Sequence, residues 1–274
     1  DVAQPEHQAS DDFFYRMRGG MALLESLSAC LLRRGVERGA PLSLLPESMQ
    51  RQVTKAARDE ERRRAAVLIP LAVVDGVPSV VLTVRSSVVS SHRGQVSFPG
   101  GHLEPDETAE EAAYREAREE LGAEFRRGFR TVDTLADVLA PSGTIVTPVL
   151  ATRCCAEVDL ERDVRPSAEV ASVFALSVPH LLDDANKGWR VLEDNGRRKR
   201  RPVFSGGPLE VWGFTAFVLD GCVQRVVKPC WTPTCWTPTL SSEEQEEAPR
   251  DAPDGLLQRG DDAEARWRSS SSSS

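Results

Sequence analysis

Two short runs rich in β-branched residues, AAVLIPLAVV and SVVLTVRS, lie on either side of Asp75-Gly76. Such side chains pack well on a pleated surface and Asp-Gly fits a two-residue hairpin turn, so the pattern predicts two adjacent antiparallel strands. Further strand patterns fall at 131–140, 145–153, 169–176 and 209–219. Between the early and late strands a strongly charged helix is predicted over 108–121. Thr108 with Glu111 three residues on forms a capping box, and Gly122 stands where a helix stops. Upstream, SLLPESMQRQVTKAARDEERRR reads as a polar helix with Pro46 near its start. The class is α/β with a mixed sheet.

This alternation is sustained only in the middle of the chain, which predicts a packed domain over residues 65–228. Residues 1–64 form an N-terminal extension that includes the polar helix. Within it, from Met21, MALLESLSACLLRRG places Leu23, Leu24, Leu27 and Leu31 near one helical face. That pattern suits an organelle transit segment or a short amphipathic helix. The chain opens on Asp1, as expected of a fragment or processed form. Residues 229–274 contain a duplicated CWTPT and then Pro, Ser and Glu, a composition that predicts a disordered tail.

The chain has 274 residues, of which 40% are hydrophobic and 28% charged, so it is ordinary globular material and neither disordered throughout nor fibrous. Acids exceed bases to give a net charge of −8. That argues against a general nucleic-acid binder, and any anionic substrate must be held locally. No run approaches the roughly 18 apolar residues of a membrane span, so no membrane partner is expected. The six cysteines lack C-x-x-C spacing or nearby histidines, which predicts neither a zinc site nor a dense disulfide framework. An intracellular, reducing compartment is the default, with mitochondrion, peroxisome and cytosol all compatible. Oligomeric state is left open.

The chemistry concentrates on the 108–121 helix. At about 100° per residue, Ala109, Ala112, Ala113 and Ala117 define one small-residue face that should pack inward. Glu116 and Glu120 fall within about 20° of Ala109, inside that face, with Glu119 on its margin. Most glutamate-rich helices simply present a solvated face with i, i+4 pairs. Here the carboxylates turn toward packed surface, where like charges must titrate up or acquire a cation. Hard oxygen ligands of this kind suit Mg²⁺ or Mn²⁺.

Residues 101–123 resemble the Nudix box, G-x5-E-x7-R-E-U-x-E-E-x-G-U, with U a bulky aliphatic residue. Gly101, Glu107, Arg115, Glu116, Glu119, Glu120 and Gly122 match, and Ala117 and Ala123 are small where U is bulky. The resemblance implies an α/β/α sandwich whose loop and helix hold Mg²⁺ or Mn²⁺ against a diphosphate. It also implies that Glu116 and Glu120 are the principal metal ligands and that Glu119 is a further ligand or a base. Arg115 with Glu107 would orient the carboxylates.

Upstream, VLTVRSSVVSSHRGQVSFPGG is similar to the motif L-L-T-x-R-[SA]-x3-R-x3-G-x3-F-P-G-G of the coenzyme A diphosphatase subgroup. Leu82, Thr83, Arg85, Ser86, Gly94, Phe98, Pro99, Gly100 and Gly101 fit, whereas Ser90 stands in place of the second arginine, with Arg93 close by. A lone Arg85 or His92 is often merely structural, but a planar guanidinium suits phosphate oxygens. Gly100 and Gly101 would let the backbone approach the ion and phosphates. The subgroup implies hydrolysis of CoA or acyl-CoA, a small-molecule substrate, to 3′,5′-ADP and (acyl-)4′-phosphopantetheine. ADP-ribose or a dinucleotide is a second candidate substrate, and a catalytically silent binding module a third reading. The run Arg197–Arg201 reads as a solvated loop or as a contact to a further phosphate of the ligand.

Overall fold

The computed structural model describes residues 19–33, 41–87, 93–194 and 197–231. Ser90, His92 and the part of the expected tail beyond 231 lie outside the described residues.

Strand β1 (Arg64–Val74) is the centre of the sheet because it is apolar over almost its whole length. Such a strand needs cover on both faces. It runs parallel to β7 (Ile145–Arg153) and antiparallel to β2 (Val77–Arg85) and to the short β4 (Gly100–His102). On one side, β2 pairs antiparallel with β3 (Val96–Ser97) and β8 (Val170–Ser177). On the other, β7 pairs with β5 (Arg130–Thr134) and β6 (Val138–Leu139). The sheet is therefore mixed, as the sequence predicts. Asp75 and Gly76 take φ of 50° and 75°, the twist that a two-residue hairpin between β1 and β2 requires.

Two apolar layers sandwich this sheet. Ala66, Leu68, Ala72 and Val74 of β1 pack with Ala112, Ala113, Ala117 and Leu121 of helix α3 (Ala109–Leu121). From the opposite face Ile69, Leu71 and Val73 join helix α1 (residues 19–33) and helix α7 (Gly213–Cys222). Leu23, Leu24, Leu27 and Leu31 of α1 are all buried, so the amphipathic stripe is a packing face. Helix α2 (Glu47–Ala56) starts at Pro46, as its sequence predicts.

Two expectations need correction. The strand expected over 209–219 is mostly helix α7: Val211 makes one isolated bridge to Phe204, Gly213 takes φ of +70°, and the chain then coils. Its aromatic and β-branched composition mimics a strand, but Ala216, Leu219, Cys222 and Val223 are buried at helical spacing, and tertiary packing overrides propensity. The basic run Arg197–Arg201 is not a loop. It opens β10 (Arg197–Phe204), which pairs with β9 (Lys187–Asp194) in a separate two-stranded sheet. Among the cysteines, Cys30 of α1 and Cys230 form a disulfide that ties the first described helix to the last.

Beside β7, Asp163 accepts from Arg153 Nη2 at 3.2 Å and from Arg162 Nε at 2.9 Å, and Arg153 and Asp163 are both buried. Burial alone would raise the Asp163 carboxyl, but the Arg162 hydrogen bond and the Asp159 amide hold it below its ordinary range. Asp163→Asn leaves the Arg153 cation buried without its partner and should cost about 3 kcal/mol in urea unfolding. Because the folded pKa is depressed, this contribution is present above the unfolded carboxyl's pKa and is lost as pH falls through the folded value. The wild-type protein should therefore lose stability more steeply than Asp163→Asn below about pH 4.

Candidate active site

Local sequence fixes both ends of α3. Thr108 Oγ1 accepts from the Glu111 amide at 3.2 Å while Glu111 Oε2 accepts from the Thr108 amide at 2.9 Å. At the other end the chain leaves the helix at Gly122 with φ of +94°. Thr108→Ala should cost about 1 kcal/mol of stability, seen as a lowered melting temperature with little change in turnover at saturating substrate. The alanine face then brings α3 against β1, and the small Ala117 is completely buried there.

Glu120 lies on this inward face and is 5% exposed. Its Oε1 is 4.0 Å from Arg85 Nη1 of β2, and its Oε2 has no hydrogen-bond partner among the described residues. Burial, reinforced by the charges of Glu116 and Glu169, pushes its carboxyl up to about 8 against the opposing pull of Arg85 and the Gly100 amide. An unpaired carboxylate oxygen at this depth is costly, and a hard divalent cation is the partner that relieves it. The donor set fits such an ion.

Glu116, one turn earlier, is half-buried and faces Gly101 of β4. A Cβ on Gly101 would overlap the Glu116 carboxylate, so glycine is what lets that carboxylate and the β4 backbone meet. Gly100 takes φ of +154°, and a Cβ there would strike the Ala66 carbonyl of β1.

Arg115 is the hub of a second layer. Its Nε and Nη2 donate to the two oxygens of Glu107 at 2.8 and 3.0 Å, and Nη2 also donates to the His102 carbonyl at 3.0 Å. The Arg115 hydrogen bond holds the Glu107 carboxyl below its ordinary range. Arg115 Nη1 then reaches Glu116 Oε1 at 3.0 Å and Glu119 Oε2 at 3.4 Å.

The structure thus brings together Glu107, Arg115, Glu116, Glu120, Arg85, Gly100 and Gly101. Glu119 departs from its expected inward setting: its side chain is 54% exposed, because the margin of the alanine face already reaches solvent and Arg115 draws the carboxylate outward. Among the described residues no three Asp, Glu, His or Cys side chains converge as a ready-made metal cluster. Arg93 is exposed, one residue from Gly94, whose amide donates to the Arg85 carbonyl at 3.0 Å.

Glu169 is an addition that sequence reasoning missed. Its carbonyl accepts from the Ser86 amide, next to Arg85, and the Ser167 amide donates to the Glu120 carbonyl at 2.9 Å. A lone acid before a strand gives no sequence signal of its own. An open groove of about 1010 Å³ is lined by Glu107, Glu110, Glu111, Arg115 and Arg118, so it touches the Arg115–Glu107 pair but does not include Glu120.

A model of the NUDIX domain matches residues 62–194. The mitochondrial coenzyme A diphosphatase NUDT8 of Homo sapiens is 39% identical over 184 residues, 66% of this chain and 76% of that protein. Its Mus musculus counterpart is 39% identical over 189 residues, 66% of this chain and 88% of that protein. Nudix hydrolase 3 of Caenorhabditis elegans is 36% identical over 174 residues, 62% of this chain and 72% of that protein.

Proposed function

The chain belongs to the Nudix hydrolase family and is a pyrophosphohydrolase, and on that premise we propose that it is a divalent-metal-dependent CoA diphosphatase. CoA or acyl-CoA is cleaved to 3′,5′-ADP and (acyl-)4′-phosphopantetheine. The observation that carries the metal-dependent reading is Glu120, a deeply buried carboxylate with one oxygen unpaired among the described residues, beside Glu116, Arg85 and the Gly100-Gly101 backbone. The similarity to NUDT8 supports the choice of diphosphate.

In this reading Glu116 and Glu120 hold Mg²⁺ or Mn²⁺, with Glu119 as a further ligand or the base. When bound, the ion neutralises charge developing on the diphosphate oxygens and lowers the pKa of water. The chain's own residues do the rest. Glu107 fixes Arg115, which sets the rotamer of Glu116 and restrains Glu119 at the rim. Arg85, with Arg93 nearby, supplies guanidinium donors to phosphate oxygens. The Gly100-Gly101 backbone leaves room for the diphosphate against β4. Glu119, solvent-exposed on the outer side of the pair, accepts the proton of the attacking water. Glu119→Gln should lower turnover about 10²-fold or more, and unchanged turnover would take the base role from it.

A hydrolase of ADP-ribose or a dinucleotide is the second reading, favoured by Ser90 in the place of the motif arginine. Incubating purified protein with CoA, ADP-ribose and NADH plus Mg²⁺ or Mn²⁺, with products identified by mass, decides between them. The CoA reading predicts 3′,5′-ADP as the dominant nucleotide product. AMP from ADP-ribose or NADH at the higher kcat/KM would overturn it. The silent-module reading predicts no product at all, and the retained charges of Arg115, Glu116, Glu119 and Glu120 count against it. A mitochondrial location is proposed from the same relatives. Among the described residues no helix is long and apolar enough to cross a membrane.

A further inference from the structure

The β9–β10 hairpin stands apart from the catalytic sheet and carries a face that the proposed hydrolysis does not use. Its register pairs Trp189 with Pro202, Val191 with Arg200 and Glu193 with Arg198, so positions 189, 191, 193, 198, 200 and 202 share one side, with Pro202 buried and Arg198 directly across from an acid. The reverse side packs inward, with Val203 buried and Arg201 lying over Phe217 of α7 at 5.1 Å. On the outer side Trp189 is 49% and Val191 47% exposed, and Arg198 and Arg200 are exposed as well. Lys187 is paired with Asp220 and Arg190 with Glu210, whereas Arg198 and Arg200 form no ion pair among the described residues. Over residues 187–204 the sequence has seven basic residues and two acidic ones, in a chain of net charge −8.

A solvent-facing indole beside an exposed aliphatic side chain is costly in water, and the two cations over its ring offset only part of that cost. Tryptophan with flanking Lys and Arg is the combination that settles at a bilayer's headgroup level, where the ring meets the acyl boundary and the cations meet anionic headgroups. Single-stranded nucleic acid fits less well. It needs an open aromatic face for base stacking, and Lys187 Nζ and the Arg200 guanidinium each already sit 4.9 Å from the Trp189 ring centroid. It would also leave Val191 unexplained. Because the rest of the chain is acidic, an anionic surface attracts the hairpin and repels the remainder, which fixes the orientation.

We propose that the outer face of the β9–β10 hairpin docks this protein peripherally on an anionic phospholipid surface. The contact is superficial and involves no span, so it is compatible with the lack of a long apolar helix. Each Lys or Arg near such a surface contributes about 1 kcal/mol, so two exposed arginines with one indole suffice for weak, reversible binding.

The test is co-sedimentation of the full chain with phosphatidylcholine vesicles, with and without phosphatidylglycerol. The wild-type protein should pellet with the anionic vesicles and stay in solution with the neutral ones. Trp189→Ser combined with Arg200→Gln should lower the partition coefficient about tenfold or more, with melting temperature unchanged. The conservative pair Trp189→Phe with Arg200→Lys should restore most of the binding. No binding to anionic vesicles, partitioning that the Ser/Gln pair leaves intact, or retention of a single-stranded oligonucleotide in place of the vesicles would each overturn the proposal.

Discussion

The double variant Glu116→Gln, Glu120→Gln should hydrolyse its diphosphate at least about a thousandfold more slowly than the wild type while keeping its fold. Both amides keep the shape of the carboxylates and lose the charge that holds a divalent cation. The fold should survive because neither residue supports the core: Glu120 Oε2 has no partner to lose among the described residues, and Glu116 gives up one ion pair with Arg115, which keeps Glu107 and the His102 carbonyl. Without divalent cation, Glu120→Gln alone should melt higher than the wild type, since the amide removes a carboxylate whose burial is unfavourable. Gain of stability with loss of turnover is the signature of a residue retained for chemistry, and a melting temperature that fell with activity would assign Glu120 to the scaffold.

The adjacent glycines should separate stability from activity in the opposite way. Gly100→Ala places a methyl group on the Ala66 carbonyl of the central strand, at a φ of +154°, and backbone cannot yield as a side chain can. We expect a loss of about 3 kcal/mol or more, measured by urea unfolding. Gly101→Ala meets only the Glu116 carboxylate, the far end of a flexible side chain. That variant should lose about 1 kcal/mol of stability or less, because Glu116 can swing away. Its turnover should nonetheless fall about 10²-fold, because the displaced carboxylate no longer faces β4. Equal effects of the two substitutions on stability would contradict the close approach at Gly100.

Much of this site is legible in the sequence because its signals are local. The capping box of Thr108 and Glu111, the stop at Gly122 and the alanine spacing fix the ends and inward face of α3 with no reference to the rest of the chain. The inward setting of Glu120 follows from the same spacing. Glu119 shows the limit of the angular argument: its place on the margin of the face left its exposure to be decided by Arg115, whose position depends on Glu107 eight residues away. Glu169 was illegible because tertiary contacts bring it near Glu120, the pairing of β8 with β2 and the Ser167 amide bond to the Glu120 carbonyl, between residues far apart in the chain.

The same distinction explains the fold. Strands β1 and β2 announce themselves through β-branched runs and a turn dipeptide. Helix α7 does not, since its aromatic and β-branched residues favour a strand locally and coil only because the layer beneath the sheet buries Ala216, Leu219 and Cys222. Strand β10 begins in a run of like charges that no local rule assigns to a sheet, and it is held by β9 and by the packing of its reverse side on α7. The pairing of Cys30 with Cys230 is likewise invisible to spacing rules, because the fold alone brings the two ends together.

Direct titration with Mn²⁺, reading the free ion by electron paramagnetic resonance, bears most closely on the account. The wild-type chain should remove Mn²⁺ from solution saturably, and the Glu116→Gln, Glu120→Gln chain should leave it free over the same range. Equal uptake by both proteins, or none by either, would contradict the assignment of this carboxylate pair to a cation.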